Sequence, residues 1–196
     1  IAVGGDGTLA VVCERGAGTV AALDLEPLAR GRPGLVSTVH RTRLGADVQP
    51  RAVALAGGFA LIAAARADVM PVLALADGRI ETAVVLPAPT VWPAGIAVTA
   101  DDGYALVTLE RAGTLAVVDL LEWTLTRQIP LGAGPRGILI DPADHAVYCA
   151  LAQAGCLAVV HLDGVDLSNT DGQPQHETLP TGPRPSALTL AHIPDR

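Results

Sequence analysis

This chain repeats itself, and the length of the repeat leaves few folds open. A proline, an apolar strand, a turn and two further apolar strands recur along its whole length. The starting prolines Pro50, Pro93, Pro135 and Pro185 are 43, 42 and 50 residues apart, a spacing that belongs to repeat architectures. The clearest copies are Pro93-Ala94-Gly95-Ile96-Ala97-Val98 with Leu115-Ala116-Val117-Val118-Asp119, and Pro135-Arg136-Gly137-Ile138-Leu139-Ile140 with Leu157-Ala158-Val159-Val160-His161. An earlier copy starts at Pro50, Ile1-Ala2-Val3 already lies inside another, and residues 185–190 open a fifth. The repeats therefore run approximately over 1–49, 50–92, 93–134 and 135–184, with the next beginning in 185–196.

The copy at 93–134 parses into four strands. Residues 95–99 form a short apolar strand, Asp101-Asp102-Gly103 turns the chain, and Tyr104–Leu109 is the second strand. Arg111-Ala112-Gly113 leads into a third over 114–120, and Thr124–Pro130 forms a fourth. Short turns between successive strands make each copy one antiparallel sheet. Residues 1–25 match 96–120 at a constant offset of 95, and residues 135–162 match 93–120 at an offset of 42. The copy at 50–92 is the most eroded, and Pro71 in its third strand predicts an edge or a bulge.

Near-continuous Val, Ile, Leu and Ala in the first three strands means that both faces of each sheet are covered. The fourth, with Thr124, Thr126, Arg127 and Gln128, alternates and reads as an outer strand facing water. Small four-stranded sheets packed face to face around an axis satisfy this pattern. The expected fold is all-β: a β-propeller of four-stranded antiparallel blades, about four blades plus one strand. Residues 1–5 and 185–190 both take the innermost-strand position, so the expectation is a segment of a larger ring.

Composition narrows the function classes. Half of the chain is apolar, but Asp, Glu, Arg, Gly and Pro break every run before the roughly 20 residues that a membrane helix needs. All 13 basic residues are Arg, and 20 acids bring the net charge to −7. With no basic stripe to offset that charge, nucleic acid is excluded as a partner. Cys13, Cys149 and Cys156 lack metal spacing and read as small buried hydrophobes, with a Cys149–Cys156 disulfide across one hairpin as the alternative. No His pair has metal-site spacing, and no haem-attachment, G-x-S-x-G or H-E-x-x-H motif occurs, so no cofactor and no catalytic residue is expected.

Several segments carry a family resemblance: Pro135-Arg136-Gly137-Ile138, Asp101-Asp102-Gly103, Ala105-Leu106-Val107-Thr108-Leu109, Gly113-Thr114-Leu115-Ala116-Val117-Val118-Asp119 and Gln128-Ile129-Pro130-Leu131-Gly132-Ala133-Gly134-Pro135. Together they resemble the YVTN-type β-propeller repeat of surface-layer and related secreted bacterial and archaeal proteins. The resemblance implies a ring of about seven blades, an extracellular, periplasmic or cell-surface location, and other blades or domains in the same protein. It also implies that ligands meet the face bearing the blade starts and the turns between second and third strands.

On this chain that face would carry Arg51, Arg136, Arg184 and Trp92 at the blade starts, with Glu14, Arg15, Arg66, Asp68, Glu110, Arg111 and Gln153 at the turns. Three arginines at blade starts form a candidate anion-attracting rim, because guanidinium groups fork onto carboxylate or phosphate. The alternative is that each arginine hydrogen-bonds carbonyls of the adjacent blade. Asp24 and Asp119, which close third strands, read as caps of the following turn.

Two insertions, 26–39 and 163–177, fall between third and fourth strands on the opposite face. The second holds Asp163, Asp166, Asn169 and Asp171, a weak candidate for a cation, but it lacks calcium-loop spacing and reads as a solvated Asx-rich turn. The expected function is a non-enzymatic scaffold that binds a protein, glycan or cell-envelope partner. The alternative is part of a propeller enzyme: lactonase- or hydrolase-like, or the propeller of an amine-dehydrogenase-like or cytochrome-associated redox protein.

Overall fold

The computed structural model describes residues 1–45, 47–87, 91–143, 145–170 and 172–189. Four antiparallel four-stranded sheets follow one another along the chain, each in sequential strand order. The first blade comprises β1 (Ala2–Val3), β2 (Leu9–Glu14), β3 (Thr19–Asp24) and β4 (Ser37–Arg43). The second comprises β5 (Gln49–Ala56), β6 (Phe59–Ala65), β7 (Val69–Ala74) and β8 (Ile80–Val85). The third has β9 (Pro93–Val98), β10 (Tyr104–Leu109), β11 (Thr114–Asp119) and β12 (Thr124–Pro130), and the fourth β13 (Pro135–Ile140), β14 (Ala146–Leu151), β15 (Cys156–His161) and β16 (His176–Pro180). These are the propeller blades expected from the repeat.

Small apolar side chains weld neighbouring blades together. Val11, Val20 and Ala22 of the first meet Val53, Ile62 and Ala64 of the second. Leu61, Met70 and Val72 of the second meet Val107, Ala116 and Val118 of the third, and Leu106 and Val117 of the third meet Val147, Cys149 and Val160 of the fourth. Leu61, Ile62, Leu106, Leu109 and Leu115 are wholly buried, each contributing about 1.5–3 kcal/mol. Among the described residues no core cluster joins the fourth blade to the first. Residues 185–189 carry no strand assignment, yet the carbonyl of Ser186 lies where a Cβ on Gly137 would come within 2.8 Å of it. The fifth inner segment thus lies against β13; Leu190, its expected last residue, falls outside the described residues.

Asp side chains shape the first turn of three blades. Asp6, Asp101 and Asp141 accept the backbone N–H of Thr8, Gly103 and Ala143 at 2.9–3.0 Å, the Asx turn that lets a short loop reverse the chain. Blade 2 uses Gly57 and Gly58 instead, both with positive φ. Asp24 and Asp119 cap the next turn as expected, accepting from Glu26 and Leu121 at 2.9 and 2.7 Å. At Pro71 the β6–β7 ladder stops at Leu61↔Val72, the local irregularity that a missing N–H donor imposes. The β7–β8 register shift between Val72 and Leu73 instead recurs at Ala22/Leu23 and Val117/Val118 in blades 1 and 3, which have no proline there.

Two sequence expectations are corrected. Arg127, placed on a solvent-facing strand, is only 2% exposed. The insertion after β15, read as a solvated turn, folds back over blade 3: Leu162 and Leu167 join the core there. Thr126 Oγ1 donates to the carbonyl of Leu167 at 2.8 Å, and Arg127 Nε to that of Asn169 at 2.8 Å. The apolar residues inside the Asx-rich stretch account for the difference, since they bury against the outer strand and cover it. The first insertion holds a one-turn helix, α1 (Glu26–Ala29), and a 3-10 turn (Pro33–Leu35).

Candidate ligand groove at the blade starts

A shift in strand register follows the starting proline of blades 2, 3 and 4. Pro50 pairs with Ala64 but Ala52 with Ala63, leaving Arg51 as the extra residue. Pro93 and Pro135 pair with Leu109 and Leu151, and regular pairing resumes only at Ile96 and Ile138. Such irregularities re-aim side chains out of the ladder, here Arg51, Ala94 and Arg136.

Those arginines converge on one carboxylate. Glu110 begins the turn after β10, held there by its N–H to the carbonyl of Trp92 at 3.0 Å, and its side chain is 5% exposed. Arg136, reaching across from blade 4, donates from Nε and Nη2 to Glu110 Oε1 at 3.0 and 2.7 Å. Arg51, reaching from blade 2, pairs through Nη1 with Oε2. Blade 3 thus supplies the anion and an alanine, Ala94, where its neighbours supply the cations. Burial opposes ionisation of Glu110, but the Arg136 and Arg51 hydrogen bonds outweigh it and hold the carboxyl below its ordinary value.

The other turn residues surround this cluster. Trp92 has its ring beneath Arg111, 4.2 Å from the centroid, with Arg51 at 5.9 Å. Arg15 donates from Nη2 to Gln49 Oε1 at 3.2 Å. Glu14 turns away to Arg41 and Thr19. Arg66 sits in the turn between β6 and β7 with φ at 66°, and Asp68 accepts the N–H of Leu86 through its backbone at 2.9 Å.

Arg184 requires a correction. It precedes its proline, as Trp92 does, whereas Arg51 and Arg136 follow theirs. Arg184 and Trp92 share a positive φ of 57° and 53°. With Arg136 and Gln153, Arg184 borders a second hollow at the turn after β14.

Arg15, Arg51 and Arg136 border a groove of about 520 Å³ between the innermost strands. Its floor is small and apolar, with Ala52, Ala94, Gly95, Gly137 and Ile138. Three guanidinium groups thus ring a groove in a chain of net charge −7, and Glu110 uses one donor of Arg51 and two of Arg136. A guanidinium has five N–H donors, so the bonds to Glu110 do not exhaust those of Arg51 and Arg136.

Among its described residues the acidic insertion groups no comparable set of side chains. Asp166 accepts the N–H and hydroxyl of Ser168 at 2.9 and 2.6 Å and the amide of Asn169 at 2.5 Å. Asp163 meets His145 Nδ1 at 2.5 Å, and Asp171 lies outside the described residues. Among the described residues no three His, Cys, Asp or Glu side chains are grouped to hold a metal ion. Among the described residues no helix is long and apolar enough to cross a membrane. Cys149 pairs with Ala158, and Cys156 with Leu151. All three thiols are free, so the hairpin disulfide does not form.

No protein-family model matches the sequence, and comparison with curated proteins finds no match. Solved structures do match. The periplasmic gluconolactonase of Pseudomonas aeruginosa is 19% identical, with a TM-score of 0.76 over 98% of this chain and 56% of its own. The virginiamycin B lyase of Staphylococcus aureus is 17% identical, with a TM-score of 0.72 over 95% and 57%. The hydrazine synthase of Kuenenia stuttgartiensis is 18% identical, with a TM-score of 0.73 over 90% and 47%. The fold is a β-propeller. The chain spans about half the length of these structures, and identities this low speak to fold and not to activity.

In the sequence Glu110 is one turn residue among several, and the pattern of strands alone does not single it out. The available signal was the alternation Arg51, Ala94, Arg136 at consecutive blade starts, with a lone Glu following the second strand of the middle blade.

Proposed function

We propose that the chain is a binding module whose groove accepts an acidic group, carboxylate or phosphate, from a partner molecule. The observation that supports this reading is the ring of Arg15, Arg51 and Arg136, contributed by blades 1, 2 and 4, with Arg51 and Arg136 braced by Glu110 from blade 3. Bracing matters because a guanidinium already fixed in place loses less freedom on binding. An acidic glycan or an acidic protein segment fits this chemistry. The YVTN-like repeat supports a cell-envelope setting for the same reading.

The test is titration of the chain with inorganic phosphate and with a tricarboxylate such as citrate. Binding that weakens with salt is expected, and Arg136→Ala weakens it about tenfold or more, the size of one lost charge-assisted hydrogen bond. Unchanged affinity in Arg136→Ala overturns the reading.

A second reading is that the groove belongs to a propeller enzyme. It is favoured by solved structures of similar fold that are named gluconolactonase and lyase. One tightly bound divalent ion per chain, found by metal analysis of the purified protein, would shift the choice to it.

A further inference from the structure

The second strand of each blade carries, two residues before the turn position of Glu110, a side chain that faces the neighbouring blade. In blades 1 to 4 these residues are Cys13, Ala63, Thr108 and Ala150. Only blade 3 places a hydroxyl there, in the same strand-and-turn that provides Glu110. Thr108 has no exposed surface. Its Oγ1 accepts the N–H of Gly95 at 2.8 Å and donates to the carbonyl oxygen of Arg136 at 2.8 Å. It thereby bridges the inner strands of blades 3 and 4 at the residue whose guanidinium Glu110 holds.

Arg136 is consequently fixed at both ends by blade 3. Thr108 secures its backbone, and Glu110 takes Nε and Nη2. Gly95 makes this approach possible, because a Cβ there would overlap the Arg136 carbonyl oxygen. Arg51 is held by side-chain contacts alone, to Glu110 and over the Trp92 ring, and the equivalent position of blade 1 is Cys13, with no hydroxyl.

We propose that Thr108 is the positioning residue of the groove: its buried hydroxyl sets the backbone of Arg136 so that the guanidinium, already aligned on Glu110, meets an incoming carboxylate or phosphate without rearranging. This rests on the reading of the groove as an anion site. Long cationic side chains lose much rotamer freedom when they bind, and Thr108 removes part of that loss in advance.

The test compares Thr108→Ala, Thr108→Ser and Thr114→Val. Alanine is the residue that blades 2 and 4 already bury at this position (Ala63, Ala150). Serine retains the hydroxyl. Thr114 Oγ1 is buried without a hydrogen-bond partner, so Thr114→Val is a control that removes a hydroxyl without disturbing Arg136.

Two quantities are read: affinity for inorganic phosphate, and the side-chain Nε–H resonance of Arg136 in ligand-free protein. Thr108→Ala should weaken phosphate binding about three- to tenfold and merge the Arg136 Nε–H signal with those of solvent-averaged arginines. Thr108→Ser and Thr114→Val should leave both near wild type. Wild-type affinity in Thr108→Ala, or failure of Thr108→Ser to restore it, overturns the proposal. So does an Arg136 Nε–H signal that is already averaged in the wild-type chain. If wild type binds no phosphate while the Arg136 resonance still depends on the Thr108 hydroxyl, the anion reading fails and the positioning contact stands by itself.

Discussion

Gly95 and Arg136 meet so closely that a Cβ on Gly95 would overlap the carbonyl oxygen of Arg136. The absent side chain is what lets the inner strands of blades 3 and 4 approach, bridged by the Thr108 hydroxyl. Gly95→Ala should therefore destabilise the chain by about 1–3 kcal/mol, the usual cost of overpacking, seen as a lower denaturation midpoint. Gly137→Ala should cost less. The atoms a Cβ would meet there belong to Ser186 and Ala187, in a segment without strand pairing that can move aside. Equal losses in the two variants would contradict this account.

Glu110 sets an acid limit on stability. Its carboxyl titrates below its ordinary value of 4.5 in the folded chain, so the unfolded chain takes up the proton first as pH falls. The contribution is complete above about 4.5 and is lost as pH drops through the folded value. Glu110→Gln should remove this component of the acid transition. It should also destabilise the chain at neutral pH by about 1–3 kcal/mol, below the range for a fully buried pair, because the Arg136 side chain is 41% exposed. Urea melts across pH 3 to 7 compare the two proteins, and identical pH profiles would refute the assignment.

The blades were legible in the sequence because their determinants are local. Apolar runs bounded by Gly and Asp turns place β9 to β12 to within a residue or two. The Glu110 cluster and the Arg127 anchor were not legible, because each joins residues from different blades: side chain to side chain at Glu110, side chain to a loop carbonyl at Arg127. Arg136 and Glu110 are 26 residues apart and Arg51 and Glu110 are 59 apart. A polar pattern on β12 is satisfied equally by water or by a covering loop. Only the packing of Leu162 and Leu167 decides in favour of the loop.

That loop gives a third expectation. Arg127 is nearly fully buried and donates to the Asn169 carbonyl, which ties the insertion after β15 to blade 3. Arg127→Ala should cost about 1–3 kcal/mol, the range for a buried group left unsatisfied. Faster amide exchange should be concentrated in residues 162–170 while β9 and β10 stay protected. Uniform acceleration across all four blades would mean that the loop is no independent fastening.

The cysteines separate burial from bonding. Cys149 has no exposed surface, and burial pushes its thiol up to about 12, while Cys13 at the groove is raised to about 11 by partial burial. Thiolate is the reactive form, so native protein at pH 8 should leave Cys149 unmodified by iodoacetamide, with Cys13 slow. Cys156 lies at the start of β15 with its thiol donating to the Ala154 carbonyl at 3.4 Å, and it should react first. Denaturation without reductant should then release every remaining thiol, because none is held in a disulfide. Intact-mass analysis resolves both stages. A mass two hydrogens short of the fully reduced chain, or early labelling of Cys149, would show that blades 3 and 4 do not close over β14 as described.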